Sequence, residues 1–129
     1  FGQLLKLYGG IPIKRTHLKS ALKSLSLVED AINNGISFII APEGTRTLNG
    51  ELSIFKKGPF HLAKNTGVTI VPVALIGGLE AKRKDDWRLK PGVLITRFGE
   101  PIKVEEYGNL EVEEISELVR SRIETLIEA

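Results

Sequence analysis

The stretch that decides the fold is ISFIIAPEGTRT, residues 36–47. Its first five residues are β-prone and apolar on both faces, which is typical of a strand buried within a parallel sheet. The second half carries Pro42 and Gly44, which favour a loop. Ligands of open α/β sheets bind beyond the carboxyl ends of the strands. This directs attention to the loop after Ile40 and to the loop after Ile76, the end of another predicted strand.

Helical and strand patterns alternate around this stretch. Apolar residues recur at three- and four-residue spacing from Leu18 to Ile32, which predicts an amphipathic helix that ends at Asn33-Asn34-Gly35. The other predicted elements are a short helix over Pro59–Asn65, strands over Thr69–Ile76 and Val93–Phe98, and a closing amphipathic helix over 110–127. This alternation predicts an α/β fold, a layered and largely parallel sheet flanked by helices, in one domain over residues 1–129.

The predicted loop has the composition of an anion-binding site. Gly44 allows close backbone approach or a positive φ angle, Thr45 offers a hydroxyl, and Arg46 offers a planar fork for two phosphate oxygens. Glu43 would repel a phosphate, so its expected role is to hold an arginine or to accept a hydrogen bond from a hydroxyl. The alternative is a surface turn with an ion pair between Glu43 and Arg46, a kind of pair worth about 0–1 kcal/mol.

Two further basic clusters could contribute to such a site. In Gly9–Arg15 a glycine turn leads into a short extended segment with the adjacent cations Lys14 and Arg15, and only one of the two can face a given site. In Phe55–Gly58 the cations Lys56 and Lys57 stand just before a helix start, where anions are favoured. The alternatives are a basic strand end for the first cluster and a solvated loop for the second.

Composition excludes several kinds of site. The 129 residues contain no cysteine, which rules out disulfides, thiolate nucleophiles and zinc–thiolate sites. The longest apolar runs fall well short of the roughly 20 residues that a membrane-spanning helix needs. Net charge is only +2, yet residues 1–28 carry cations and no acid, whereas residues 100–128 are strongly acidic. One interpretation is a basic face that meets phosphates or lipid headgroups, and the other is two solvated faces.

Several segments in sequence order resemble the sequence blocks of the 1-acyl-glycerol-3-phosphate acyltransferase family. The segments are GIPIKR (10–15), PEGTR (42–46) and VPVA (71–74), similar to the second, third and fourth blocks, with FKKG (55–58) and FGEPI (98–102) similar to further family segments. The resemblance runs over residues 1–102. A set of blocks in the same order is far more specific than one isolated motif, and it implies the fold of a glycerolipid acyltransferase.

The first block of that family, His-x-x-x-x-Asp, has no counterpart in this sequence. The histidines are His17 and His61, and five residues beyond them stand Leu22 and Thr66. Both histidines are therefore interpreted as ordinary helix residues, and no catalytic residue is assigned. The second block also departs from the family, because Lys14 stands where aspartate is usual. Because the first block is missing, we expect the chain to be the carboxy-terminal portion of an acyltransferase domain, inactive by itself. The sequence has no methionine even at the first position, so either it was cut from something longer or its true start was not recorded.

The resemblance implies a function for the whole protein. That function is transfer of a fatty acyl group from acyl-CoA or acyl carrier protein to the hydroxyl of 1-acyl-glycerol-3-phosphate, or a related lipid, in phospholipid biosynthesis, with a histidine as general base. The residues expected to bind this lysophospholipid acceptor are Arg15, Glu43, Gly44, Thr45, Arg46, Lys56 and Lys57. No cofactor, metal or nucleic acid is expected. The alternative is a non-catalytic lipid- or phosphate-binding relative that lacks the base.

A membrane surface is the other expected partner. Residues 81–90 are basic and include the only tryptophan, Trp87. Tryptophan and cations suit the headgroup interface of a bilayer, although an exposed loop is the alternative. We expect peripheral attachment at the cytoplasmic, inner face of the membrane.

Overall fold

The structure, a computed structural model, describes Gly10 and residues 18–129. The described residues fall into two compact units that divide between Ile40 and Ala41. The candidate site residue Arg15 and the histidine His17 lie outside the described residues.

The first unit contains helix α1 (Leu18–Asn33). The helix ends in a Schellman motif, in which the amide of Ile36 donates to Ala31 O at 3.0 Å and the amide of Gly35 donates to Ile32 O at 2.9 Å. Gly35 adopts the positive φ of +84° that this motif requires. The predicted helix and its glycine stop are confirmed.

Residues 36–40 form no strand, contrary to the prediction. The side chains of Ile36, Ile39 and Ile40 are exposed. A buried parallel strand needs hydrogen-bonded neighbours and cover on both faces. No strand within residues 18–129 pairs with this segment, so it remains irregular.

The second unit contains a two-stranded sheet, β1 (Val73–Ile76) with β2 (Ile95–Phe98). The strands are antiparallel, with Val73 opposite Phe98 and Ile76 opposite Ile95. The expected largely parallel sheet is therefore wrong for the part of the chain that the structure describes, and both strands are shorter than predicted.

The connection between the strands explains their direction. A parallel pair needs a crossover of about a dozen or more residues that returns along the sheet, usually as a helix. Here the connection contains only the four-residue helix α3 (Gly78–Ala81). The segment then folds back on itself, because the amide of Lys90 donates to Ala81 O at 2.9 Å. A connection that reverses in this way delivers the second strand antiparallel to the first.

Helices cover one face of this sheet. Helix α5 (Val112–Glu128) packs against both strands and against helix α2 (Gly58–Thr66). Its start is fixed by a capping box between Glu111 and Glu114, with the Glu111 amide donating to the Glu114 carboxylate at 2.7 Å. The buried core comprises Phe55, Phe60, Ala63, Ala74, Ile102, Tyr107, Val112, Ile115, Val119 and Ile123. Both helices confirm the sequence prediction. None of the helices among the described residues is long and apolar enough to traverse a bilayer.

The opposite face of the sheet is apolar and exposed. Leu75 and Phe98 point outward and are 64% and 71% exposed. The two strands are therefore covered on one side only within this unit.

A short helix that the sequence did not reveal, α4 (Val104–Tyr107), anchors the end of α2. The buried Tyr107 hydroxyl lies 3.0 Å from Ala63 O and 2.6 Å from Val68 O, and can donate its single proton to either carbonyl. Burial, with a smaller contribution from Glu105, raises the pKa of Tyr107 above its ordinary value of 10.0.

We expect Tyr107→Phe to lower the free energy of unfolding by about 1–2 kcal/mol at neutral pH, because a buried carbonyl loses its donor. The raised pKa means that the folded state favours the neutral phenol, so this stabilisation is complete below the unfolded pKa of 10.0 and is lost as pH rises through the folded pKa. Urea unfolding at several pH values measures both effects. If the difference in the free energy of unfolding between wild type and Tyr107→Phe stays constant as pH rises through the folded pKa of Tyr107, the assignment is contradicted.

Candidate functional site

The predicted binding loop begins with a tight turn. The Gly44 amide donates to Ala41 O at 3.1 Å, with Pro42 at the second position of the turn, where its fixed φ is suited. Gly44 has a φ of +68°. A residue with a Cβ in that conformation costs about 1–2 kcal/mol, so glycine is the residue the turn needs. The positive φ suggested by the sequence is confirmed.

Glu43 closes the base of the loop. Its half-buried carboxylate accepts a hydrogen bond from the Ser53 amide at 2.8 Å. A second tie lies alongside, where the Lys56 amide donates to Pro42 O at 2.8 Å. Glu43 and Arg46 form no ion pair with each other, so the alternative of a paired surface turn is wrong. Within residues 18–129 the carboxylate accepts from this backbone amide, and no arginine or hydroxyl of that range donates to it.

The tip of the loop carries its own hydrogen bonds. The amide of Gly50 donates to Thr47 Oγ1 at 2.9 Å, and the amide of Glu51 donates to Asn49 Oδ1 at 3.2 Å. The Asn49 side-chain amide donates to the Glu51 carboxylate at 2.7 Å. The tip is thus a self-contained turn whose polar groups bind one another.

Arg120 on α5 holds the far end of the loop, a role that sequence reasoning missed. Its guanidinium donates to Ser53 O at 2.8 Å and to Leu52 O at 3.1 Å. The same group lies 5.6 Å from the centre of the Phe55 ring and pairs with Glu124 at 2.9 Å. The pair with Glu124 is visible in the sequence as an i,i+4 spacing, but the contacts to a segment 67 residues away are not. Arg120 therefore fixes the residue whose amide binds Glu43.

The structure gathers most of the predicted binding residues around the turn. Thr45, Arg46 and Lys56 are all exposed, and the Lys56 side chain runs 3.7 Å from the position that a Cβ would occupy on Gly44. The Arg46 side chain makes no hydrogen bond or ion pair to any described residue. Thr45 has an unforeseen neighbour, because Lys84 Nζ donates to its Oγ1 at 3.1 Å.

Lys57 is directed elsewhere. Its ammonium forms an ion pair with Glu113 at the start of α5, and that hydrogen bond is the main reason why the pKa of Glu113 lies below its ordinary value. The pair borders a groove of about 340 Å³ that Leu52, Ile54, Phe55, Ser116, Glu117 and Arg120 also line. The adjacent residues Lys56 and Lys57 therefore have different environments, because Lys56 lies beside the glycine turn and Lys57 pairs with Glu113 on α5.

This arrangement is suited to an anion. Guanidinium and ammonium groups border a glycine turn that is held at both ends, and charge-assisted hydrogen bonds to phosphate oxygens are among the stronger ones in proteins. In residues 18–129 no group of three or more histidine, aspartate or glutamate side chains is placed to hold a metal ion.

Comparison with known proteins defines the class. The sequence model of the family described as Acyltransferase matches residues 1–76. The 1-acyl-sn-glycerol-3-phosphate acyltransferase of Cocos nucifera is 34% identical over 122 residues, which cover 94% of this chain and 40% of that protein. The enzyme of the same name from Salmonella typhimurium is 34% identical over 128 residues, which cover 98% of this chain and 51% of that protein.

A solved structure gives the same answer. The 1-acyl-sn-glycerophosphate (LPA) acyltransferase PlsC from Thermotoga maritima superposes with a TM-score of 0.77 at 30% identity, covering 84% of this chain and 44% of that one. The chain belongs to the 1-acyl-sn-glycerol-3-phosphate acyltransferase (PlsC) family, as its sequence blocks indicated. It spans about half the length of these relatives or less.

We expect Lys57→Gln to raise the pKa of Glu113, because the hydrogen bond and the positive charge that stabilise the carboxylate are removed. The matched control is Lys56→Gln, which removes the same charge one residue away and should leave that pKa where it is. Titration of glutamate carboxyl carbons by NMR measures both. If the pKa of Glu113 shifts equally in both variants, Lys57 is not the specific partner of Glu113.

Proposed function

We propose that the protein transfers a fatty acyl group from a thioester donor, acyl-CoA or acyl carrier protein, to the free hydroxyl of 1-acyl-glycerol-3-phosphate. In this proposal the turn at Gly44–Arg46, with Lys56 beside it, binds the phosphate of the acceptor. Membership of the family supports the reaction, and the geometry of the turn supports the role of these residues.

The observation that carries the proposal is the state of Arg46. Its guanidinium is exposed beside a turn that is fixed at its base by Glu43 and Ser53, and no described carboxylate neutralises it. A guanidinium can donate two parallel hydrogen bonds to two oxygens of one phosphate. A fixed backbone beside a guanidinium that no described residue binds is suited to a phosphate headgroup.

Binding of the phosphate raises the rate of acyl transfer because it positions the acceptor's hydroxyl. An acceptor anchored at its charged end presents its hydroxyl in a restricted region, and well-oriented reactants can gain several kcal/mol over free encounter, up to about 7–11 kcal/mol. The general base that takes the hydroxyl proton is not assigned to these 129 residues, since neither His17 nor His61 stands in a His-x-x-x-x-Asp sequence. The chain thus supplies the acceptor-binding half of the site, and we expect it to be inactive alone.

We expect Arg46→Ala to lower kcat/KM for lysophosphatidate about 100-fold, because a bidentate charge-assisted contact is lost. Arg46→Lys should fall in between, since an ammonium keeps the charge but not the fork. Radiolabelled acyl-CoA and lysophosphatidate, with the enzyme that carries this chain, provide the assay. The control is Arg122→Ala. This variant removes an exposed guanidinium of α5 that pairs with Glu106 of α4. An Arg46→Ala enzyme as active as this control contradicts the phosphate role.

The alternative is a relative that binds a lipid or a phosphate without transferring an acyl group. The same measurements separate the two. Wild-type protein that binds lysophosphatidate through Arg46 but transfers no acyl group supports the binding relative, and turnover supports the enzyme.

We also propose that the protein attaches peripherally to the cytoplasmic face of the membrane through residues 81–90. Trp87 and Leu89 in this segment are 87% and 79% exposed, and cations surround them in the sequence. An exposed indole flanked by lysines and arginines suits the zone of lipid headgroups, where the ring meets the acyl boundary and the cations meet anionic lipid.

We expect the protein to float with vesicles of phosphatidylglycerol and phosphatidylcholine, and to dissociate at about 1 M salt, where the Debye length falls to about 3 Å. Trp87→Ser should weaken flotation at low salt, because the interfacial anchor is lost. The control is Ile127→Ser, which removes a comparably apolar, exposed side chain at the end of α5. Equal flotation of the two variants would exclude Trp87 as the anchor.

A further inference from the structure

The connection between β1 and β2 is internally braced. The bond from the Lys90 amide to Ala81 O closes its base at 2.9 Å. Inside it, the Lys82 ammonium donates to the carbonyl oxygens of Arg83, at 3.2 Å, and of Asp86. The Asp86 carboxylate accepts from the amide of Arg88 at 3.0 Å and from its guanidinium at 3.2 Å, and these two bonds hold the pKa of Asp86 below its ordinary value. The conformation of residues 81–90 is therefore fixed by bonds within the segment.

This braced segment places one cation at the candidate site. Lys84 Nζ lies 3.1 Å from Thr45 Oγ1, across 39 residues of sequence. An ammonium has three protons to donate, so this contact leaves two for another partner. Lys84 thus stands at the turn with most of its hydrogen-bonding capacity unused.

Three cations border the turn. Arg46, Lys56 and Lys84 are all exposed, and none forms an ion pair with a described carboxylate. The nearby carboxylates are Glu43, which accepts from the Ser53 amide and keeps its charge, and the exposed Asp85 next to Lys84, so the cations outnumber them by one. Like charges gathered on one turn repel one another, and an anion bound between them relieves that repulsion.

We propose that Lys84 is a further acceptor-binding residue, and that it makes the site prefer a phosphate monoester to a phosphodiester headgroup. The inference rests on the proposed function, since it assigns the acceptor phosphate to the same turn. A monoester has a second ionisation near pH 6 and carries up to two charges at neutral pH, whereas a diester carries one. An added ammonium gains more from the doubly charged headgroup, so its contribution depends on that second charge.

Phosphate monoesters occur on both substrates, on the acceptor lipid and on the ribose of coenzyme A. The steady-state constants distinguish them, because a residue that binds the acceptor changes the KM for lysophosphatidate, and one that binds the donor changes the KM for acyl-CoA. Detergent micelles as the assay medium separate this effect from attachment to a bilayer.

The experiment compares wild type, Lys84→Gln and Lys84→Arg in the enzyme that carries this chain, with lysophosphatidate as substrate and lysophosphatidylglycerol as a competing ligand. We expect Lys84→Gln to raise the KM for lysophosphatidate about tenfold, as for loss of one charge-assisted hydrogen bond, with kcat and the KM for acyl-CoA unchanged. The inhibition constant of lysophosphatidylglycerol should change much less. Lys84→Arg should restore most of the preference, because it keeps the charge.

Lys103→Gln is the matched control, since Lys103 is exposed and its side chain contacts no described residue through a hydrogen bond or ion pair. Loss of affinity for both headgroups alike, a change in the KM for acyl-CoA, or kinetics equal to the Lys103→Gln control each overturn the inference. If Arg46→Ala is impaired while Lys84→Gln is not, only the role of Lys84 fails. If wild type neither binds nor acylates lysophosphatidate, the proposed function fails first.

Discussion

The hydrogen bond between the Ser53 amide and the Glu43 carboxylate is the constraint on which the candidate site depends. It joins the two ends of a loop whose tip is braced by hydrogen bonds from its own side chains. Arg120 extends the constraint into the core, because it binds the carbonyl of Ser53 from helix α5. The core helix, the loop base and the glycine turn therefore form one continuous set of contacts, and the cations of the turn are presented from a fixed backbone.

This arrangement divides the charged residues by function. Glu43, the carboxylate of the turn, accepts a hydrogen bond from the Ser53 amide and so takes part in holding the loop base. Lys57 is occupied by Glu113 and helps to attach α5 to the start of α2. Arg46 and Lys56, by contrast, have no such partner among the described residues. The cations that pair with carboxylates of the fold are thus different residues from the cations that remain available to a ligand.

Local patterns in the sequence predicted the local structure well. The apolar spacing and glycine stops gave α1, α2 and α5, and the loop composition indicated the turn at Gly44. The same local patterns could not predict how segments distant in sequence pair or contact one another. The antiparallel direction of the strands depends on how residues 77–94 fold back, and the irregular course of residues 36–40 depends on which strands are available to pair with them. Arg120 and Lys84 reach the loop from 67 and 39 residues away, so neither contact has a signature in sequence spacing.

The braced connection after β1 carries Lys84 and Trp87 three residues apart. Consecutive Cα atoms are 3.8 Å apart, so these two positions can be separated by at most about 11 Å. The ammonium at the turn and the exposed indole are thus presented from one short, braced segment. If the two proposals above hold, this single segment contacts an anion at the turn and the surface of a bilayer at the same time, so a lipid bound there by its charged end need not leave its leaflet.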